Sequence, residues 1–382
     1  MKTALYFGAD AVYCGGPLLQ LRAGSAGFSF EELQEAAVYA HQRGKKLYVT
    51  VNCFAENGEI GQVGGYARRL KEIGADAVIV SDLGVIAELR EQCPELPIHV
   101  STQANCLNYK TVNVYHGMGA SRVVLGREMS LAAIEELRGK IPPEMEIEVF
   151  VHGAMCMAYS GRCLLSSFLA NRSGNRGECA QPCRWSYFLI EGKRQNMAFP
   201  VVEEGGSTAV FSSADLNCIS FLDRLEQAGV RSFKIEGRMK SPYYVATVVN
   251  AYRHRMDGTA TPEQCEAELD CASHRPYSTG FYFGEMKQDP YNDGLYHRTC
   301  DFIGVVLGEA GDGRYVVEQR NRFAVGDTLE ILSPSSMGLS FPVERITGED
   351  GEDRDAAHLV QEKVTLPCPH RLFPGDILRR RL

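Results

Sequence analysis

Five cysteines carry the densest chemistry in this chain. Cys156, Cys163, Cys179 and Cys183 fall in FVHGAMCMAYSGRCLLSSFLANRSGNRGECAQPCRW (150–185), with the spacing Cys-x6-Cys-x15-Cys-x3-Cys, and Cys218 follows in FSSADLNC. Grouped thiolates make disulfides, hold zinc, hold an iron–sulfur cluster, or supply a nucleophile. The chain has 13 cysteines, an odd number, and Cys14, Cys53, Cys106 and Cys300 sit in apolar surroundings. The start, MKTALYFGADAVYCGG, lacks the basic and apolar regions of a secretory signal. The expectation is therefore a cytoplasmic protein with reduced thiols, since cytosolic redox buffers keep disulfides rare. A zinc ribbon prefers two CxxC-type knuckles, whereas thiolates approaching from separate loops suit an iron–sulfur site better. Unconnected buried cysteines, or a thiolate–imidazole pair with His152, remain alternatives.

The charge pattern adds a second signal. Net charge is −8, which argues against non-specific coating of nucleic acid but allows a local basic groove. Residues 151–200 carry Arg162, Arg172, Arg176, Arg184, Lys193 and Arg194 against Glu178 and Glu191. RSFKIEGRMK (231–240) adds Arg231, Lys234, Arg238 and Lys240 against Glu236. The alternative for such runs is a solvated charged face, or local pairing of these arginines with Glu178 or Glu236. No apolar stretch approaches the roughly 20 residues of a membrane helix.

A repeated pattern must position these groups. YFGADAVYC (6–14), EIGADAVIVSD (72–82), GMGASRVVLGRE (117–128) and QAGVRSFKIEGR (227–238) each read as a helix ending at glycine, then an apolar strand. KKLYVTVNCF, LPIHVSTQANC and EIEVFVHG supply further strands, and amphipathic helices fill the gaps. This predicts an α/β fold, a TIM-like (β/α) barrel over 1–255 with a cysteine-rich insertion at 152–218. Residues 256–300 read as a linker or wrapping segment. Residues 301–382 read as a small C-terminal β-barrel domain in which FAVGDTLEI and LFPGDILRR form similar turns. The tail Arg379, Arg380, Arg381 reads as a solvated end.

Seven strands are evident where a barrel needs eight. Either the hairpin-like stretch 187–213 supplies the eighth, or a first strand before Met1 is missing, which would leave two unpaired edges and an unstable chain. Chemistry in such barrels sits at the C-terminal strand ends. Those ends carry Asn52, Ser81, Asp82, Ser101 to Asn105, Arg127, Glu128, His152 and Glu236 to Arg238. The insertion leaves the strand ending in His152 and is expected over this mouth.

GADAVYCGG, HVSTQAN, VVLGREMSL, the long cysteine motif, SSADLNCI and KIEGRMKSPYYVA closely resemble peptidase family U32, the collagenase-like proteins, along essentially the whole chain. The resemblance implies oxygen-independent RNA hydroxylation, and more narrowly 5-hydroxyuridine formation at the tRNA wobble position with prephenate as hydroxyl donor. It implies a 4Fe–4S cluster on Cys156, Cys163, Cys179 and Cys218, with Cys183 as the alternative ligand. The partners it implies are tRNA or other structured RNA, a prephenate-like small molecule and a second family member. Members normally open with a strand resembling ELLAPAGN, which is missing here. Candidate catalytic residues are His152, Tyr159 and Glu236. Arg176, Arg184 and Arg238 are the candidate binders of phosphate or carboxylate, and Tyr159, Trp185 and Tyr187 the candidate platforms for a splayed base. The alternatives are a collagenase-like peptidase, although no HExxH or GxSxG is present, and a non-catalytic scaffold.

Overall fold

A computed structural model describes residues 1–21, 27–155, 161–185, 188–190, 198–200, 214–238, 240–284 and 296–382; for 184, 188–190 and 198–200 only the backbone is described. The chain forms two compact units that interleave in sequence. One holds residues 1, 10–238 and 275–295, the other 2–9, 239–274 and 296–382. The sequence places boundaries at 255 and 300, on composition; the chain passes from one compact unit to the other near residues 9, 238, 274 and 295.

After α1 (Lys2–Tyr6), which belongs to the second unit, strands and helices alternate. The strands are β1 (Ala11–Gly15), β2 (Lys46–Val51), β3 (Ala77–Val80), β4 (Ile98–Val100), β5 (Ala120–Val124) and β6 (Glu146–Ala154). The helices between them are α2 (Phe30–His41), α3 (Asn57–Ile73), α4 (Leu83–Gln92), α5 (Tyr109–Gly117) and α6 (Leu131–Arg138). Local chemistry sets their ends. Ser29 and Glu32 form a reciprocal capping box on α2, while Asp82 and Ser130 cap α4 and α6. Gly8, Gly74, Gly119 and Gly229, the four glycines of the repeat, have φ of 101°, 94°, 86° and 89°. That left-handed turn reverses the chain from helix into strand at each position.

β1 to β6 pair in order, all parallel. β6 then has two more neighbours. β9 (Asp215–Asn217) pairs antiparallel with its last residues, and β10 (Ser232–Ile235) pairs parallel with its middle, after the short helix α8 (Leu222–Gln227). β11 (Tyr277–Ser278) extends the sheet beside β9. Seven strands therefore run parallel, and among the described residues no backbone ladder joins β10 to β1. Of the stretch 187–213, the alternative source of an eighth strand, β7 (Phe188–Ile190) and β8 (Ala198–Pro200) pair with each other as a separate two-stranded sheet, and 201–213 lie outside the described residues. Side chains bridge the open side instead. The Tyr13 hydroxyl donates to Glu236 at 2.9 Å, the Lys234 ammonium sits 4.4 Å from the Tyr13 ring centroid, and Arg238 donates to the Leu21 carbonyl at 2.7 Å.

In the second unit, α9 (Pro242–Met256) and α10 (Pro262–Leu269) lie with an antiparallel sheet. Both helices start from side-chain caps, Ser241 and Thr261, with proline in the first turn. The sheet contains β12 (Cys300–Gly311), β13 (Arg314–Gln319), β15 (Thr328–Ser333), β16 (Ser336–Pro342), β17 (Ile346–Gly348), β18 (Asp353–Arg354), β20 (Lys363–Pro367) and β21 (Ile377–Arg381). β14 (Phe323–Ala324) and β19 (Ala356–Ala357) form a separate pair. Ile303, Val317, Phe323, Leu329, Phe341 and Leu378 fill its core. The two Gly-Asp turns do share one chemistry. Asp327 accepts from the Ala324 N–H and Asp376 from the Phe373 N–H, each at 2.9 Å.

The basic tail is not solvated. Arg379 is 1% exposed, donates bidentately to Glu268 on α10 at 2.5 and 2.7 Å, and reaches Glu330 at 3.0 Å. Arg380 pairs with Asp327 and Arg381 with Glu330. Strand β21 lies centrally in the sheet, between β15 and β12, which is why its side chains meet partners. Removing one member of a buried pair strands the other charge. Arg379→Ala should therefore cost about 3–5 kcal/mol in denaturant unfolding. Arg381→Ala, on an exposed pair, should cost under about 1 kcal/mol.

Candidate active site at the C-terminal ends of the barrel strands

The barrel interior holds a charged knot halfway along the strands. Glu148 of β6 accepts from Arg122 on β5 at 3.0 Å, from Lys234 on β10 at 2.7 Å and from Ser232 at 2.8 Å. Burial alone would raise the Glu148 carboxyl, but Lys234 and Arg122 overrule it and hold it down at about 2. The neighbouring His99 of β4 sits edge-on to Tyr48 of β2 at 4.8 Å. Burial, reinforced by the Arg122 charge, pushes the imidazole down to about 3, so it is neutral at ordinary pH.

Polar groups at the C-terminal strand ends knit neighbouring strands together. The Ser81 hydroxyl donates to the Asn52 carbonyl at 2.9 Å, and the Asn52 amide donates to Ser101 at 3.3 Å. Thr102 donates to the Leu125 carbonyl at 3.1 Å. Arg127 lies 3.8 Å from the Phe150 ring centroid and donates to the Ala154 carbonyl at 2.5 Å. β6 and β10 approach so closely here that a Cβ on Gly153 would lie 2.8 Å from the Glu236 carbonyl oxygen, at a φ of +109°. Only glycine fits that position.

The cysteine-rich segment 161–185 lies against these ends, as its departure from β6 implies. A Cβ on Gly161 would lie 2.1 Å from the Gln103 carbonyl oxygen. The Cys53 thiol points at the Asn175 carbonyl at 3.8 Å. Arg176 donates to the Phe54 carbonyl at 2.8 Å and clamps Glu59 at 3.0 and 3.3 Å. Within the segment, α7 (Leu165–Ala170) packs on the turn at 182–184, and Ser166 accepts the Ala180 N–H at 2.9 Å. Asn171 and Gln181 take left-handed backbone conformations at φ 52° and 57°.

The expected ligands and binders fall as follows. Cys163 and Cys183 are partly exposed, Cys179 is exposed, and Cys218 is fully buried at the end of β9, where burial pushes its thiol well up. The Cys179 sulfur accepts the Gln181 N–H at 3.4 Å. Cys156, Tyr159 and Tyr187 lie outside the described residues, as does the side chain of Arg184. Among the described residues, no three Cys, His, Asp or Glu side chains converge on a metal-sized point. His152 is 1% exposed, its ring 5.5 Å from that of Tyr277. Arg176 pairs with Glu59 and Glu56, not with Glu178, while Arg238 is held by the Leu21 carbonyl and Gln20. Trp185 is 46% exposed. The sequence reading missed the Glu148 knot, although glutamates at alternate positions in the apolar EIEVFV were a visible signal. None of the described helices is long and apolar enough to cross a membrane.

Fold and site together define an α/β barrel whose C-terminal strand ends carry a cysteine-bearing cap, in a chain that also contains an antiparallel β domain. Residues 1–291 match the model of peptidase family U32 and 298–379 that of the family's C-terminal domain, so the chain belongs to peptidase family U32. It is 37% identical to tRNA hydroxylation protein P of Escherichia coli over 97% of this chain and 92% of that protein. It is also 37% identical to tRNA hydroxylation protein P1 of Bacillus subtilis, over 100% of this chain and 92% of that protein. A collagenase of Porphyromonas gingivalis is 29% identical over 100% and 94% of the two chains.

The Glu148 carboxyl titrates below its unfolded value of roughly 4.3. Its contribution to stability is therefore complete above that value and is lost as pH falls towards about 2. Glu148→Gln should destabilise the protein at pH 7 by roughly 3 kcal/mol. Chemical unfolding at stepped pH should show the gap to wild type closing between about pH 4.5 and pH 2, because protonated glutamic acid and glutamine carry the same charge.

Proposed function

We propose that this chain is an RNA hydroxylation enzyme, acting on the wobble uridine of tRNA in the cytoplasm. The observation that carries this reading is the cap of 161–185 seated on the C-terminal strand ends, where barrels of this class do their chemistry. The names of the full-length relatives support it. The reaction replaces the C5 hydrogen of uridine with a hydroxyl from a donor of the prephenate type. The donor takes the hydrogen, so uridine loses two electrons and the donor gains two.

A 4Fe–4S cluster on Cys156, Cys163, Cys179 and Cys218 belongs to the proposal. Cys163, Cys179 and Cys218 are the described members of this set; Cys218 is buried at the end of β9 and Cys179 accepts a backbone N–H, and the three do not converge on one point, so ligation would need the cap to draw towards β9. When bound, the cluster supplies one-electron chemistry at the barrel mouth. The chain's own residues do the rest. Arg127 and Arg238 are pinned at the rim, so their guanidinium charge is preorganised for phosphate or carboxylate. Tyr13 fixes the Glu236 carboxylate beside them. Peptidase chemistry would need His152 as an accessible base, whereas that ring is buried beneath Tyr277.

Anaerobic reconstitution should give Cys218→Ala a marked loss of iron and visible absorbance, while Cys183→Ala retains both. The opposite pattern would exchange the two ligands. With unmodified tRNA and the donor, the reconstituted protein should add one oxygen atom to uridine, read by nucleoside mass spectrometry. Collagen cleavage without RNA product would sink the reading.

A further inference from the structure

The cap exposes an apolar surface that the barrel does not use. Phe168 is 90% exposed and Leu164 70%, with Leu169 at 45% and Trp185 at 46%. Large apolar side chains gathered in water on one short segment mark a binding surface rather than a packing remnant. Leu164 and Phe168 are four residues apart along the helical stretch and share one side of it. Trp185 follows the turn on which α7 packs.

The exposed charges of this segment are mostly positive. Arg162 and Arg172 are exposed, and neither guanidinium has an ion-pair or hydrogen-bond partner among the described residues. Arg176, by contrast, is occupied by Glu59. One exposed carboxylate in the segment, Glu178, stands against the two unpaired arginines. Unpaired guanidinium groups beside bare aromatic faces suit a single-stranded polyanion, with bases stacked on rings and phosphates on arginine. A two-fold contact between copies would bring the same arginines together with only Glu178 of each copy to offset them, which costs free energy.

We propose that Phe168 and Trp185 form a stacking platform for unpaired bases of the RNA substrate, with Arg162 and Arg172 holding the flanking phosphates. This rests on the RNA reading above and names the part of the substrate engaged, a single-stranded loop rather than a duplex.

Trp185 is the sole tryptophan of the chain, so its emission reports the platform directly. The full chain, reconstituted anaerobically, is titrated with a single-stranded oligoribonucleotide and with the same sequence annealed as a duplex. The expected result is saturable quenching by the single strand and little by the duplex. Phe168→Ala and an Arg162→Ala/Arg172→Ala pair should each weaken binding about fivefold or more, while Phe168→Tyr stays near wild type. Because these side chains are exposed, the melting temperature should not move. Single-strand affinity unchanged in Phe168→Ala overturns the platform, and if wild type still hydroxylates tRNA, the functional reading survives it. Quenching with these mutational losses but no oxygen transfer supports the platform and removes the enzyme reading. Emission that changes with protein concentration alone, alongside a dimer in solution, overturns the platform in favour of self-association.

Discussion

The Glu148 carboxylate is the interaction on which the barrel unit depends. A single negative charge in an apolar wall is costly unless it is paired and hydrogen-bonded. Here Arg122, Lys234 and Ser232 satisfy it from the two neighbouring strands. The consequence reaches the open side of the sheet. Lys234, fixed by Glu148, lies over the Tyr13 ring of β1, and Tyr13 in turn donates to Glu236 at the end of β10. β1 and β10 share no backbone ladder among the described residues, so this chain of side chains couples them. It also sets the position of Glu236 and hence the rim.

The same logic separates the arginines of the rim and cap. Arg127 and Arg238 donate to main-chain carbonyls within the barrel unit, so their side chains are ordered before any ligand arrives. Fixing a side chain in advance removes an entropy cost from binding. Arg176 is committed to Glu59 and Phe54 and serves as an anchor. Arg162 and Arg172 are exposed on the cap.

Local signals in the sequence translated well, and long-range ones did not. The four glycine-terminated helices were legible because a left-handed turn is a property of one residue and its neighbours. The Gly-Asp turns of the second unit were legible for the same reason. Arg176 was weighed against Glu178, two residues away, but its partner is Glu59, 117 residues away. Nothing in the sequence sets the register between the cap and the loop before α3. The 187–213 stretch has strand-like composition, yet composition does not say which edge a strand joins, and its described strands β7 and β8 pair with each other. The basic tail looked solvated because terminal arginines usually are; β21 instead occupies a central position in its sheet and meets Glu268, Glu330 and Asp327.

The cap has little in its described part to hold it rigid. Its helix has six residues, its turns rest on left-handed Asn171 and Gln181, and its contacts with the strand ends are few and polar. A partly exposed ion pair such as Arg176–Glu59 contributes on the order of 1 kcal/mol or less. Fixing each residue's backbone costs about 1–2 kcal/mol, so such contacts alone do not account for an ordered loop of this length. Thiolate ligation is the kind of interaction that closes the gap, because it ties separated loops to one point and converts metal affinity into local folding free energy. Cys218 belongs to the barrel, whereas Cys163, Cys179 and Cys183 belong to the cap. The cluster proposed above, bridging the two sets, would tie the cap to the strand ends of the barrel.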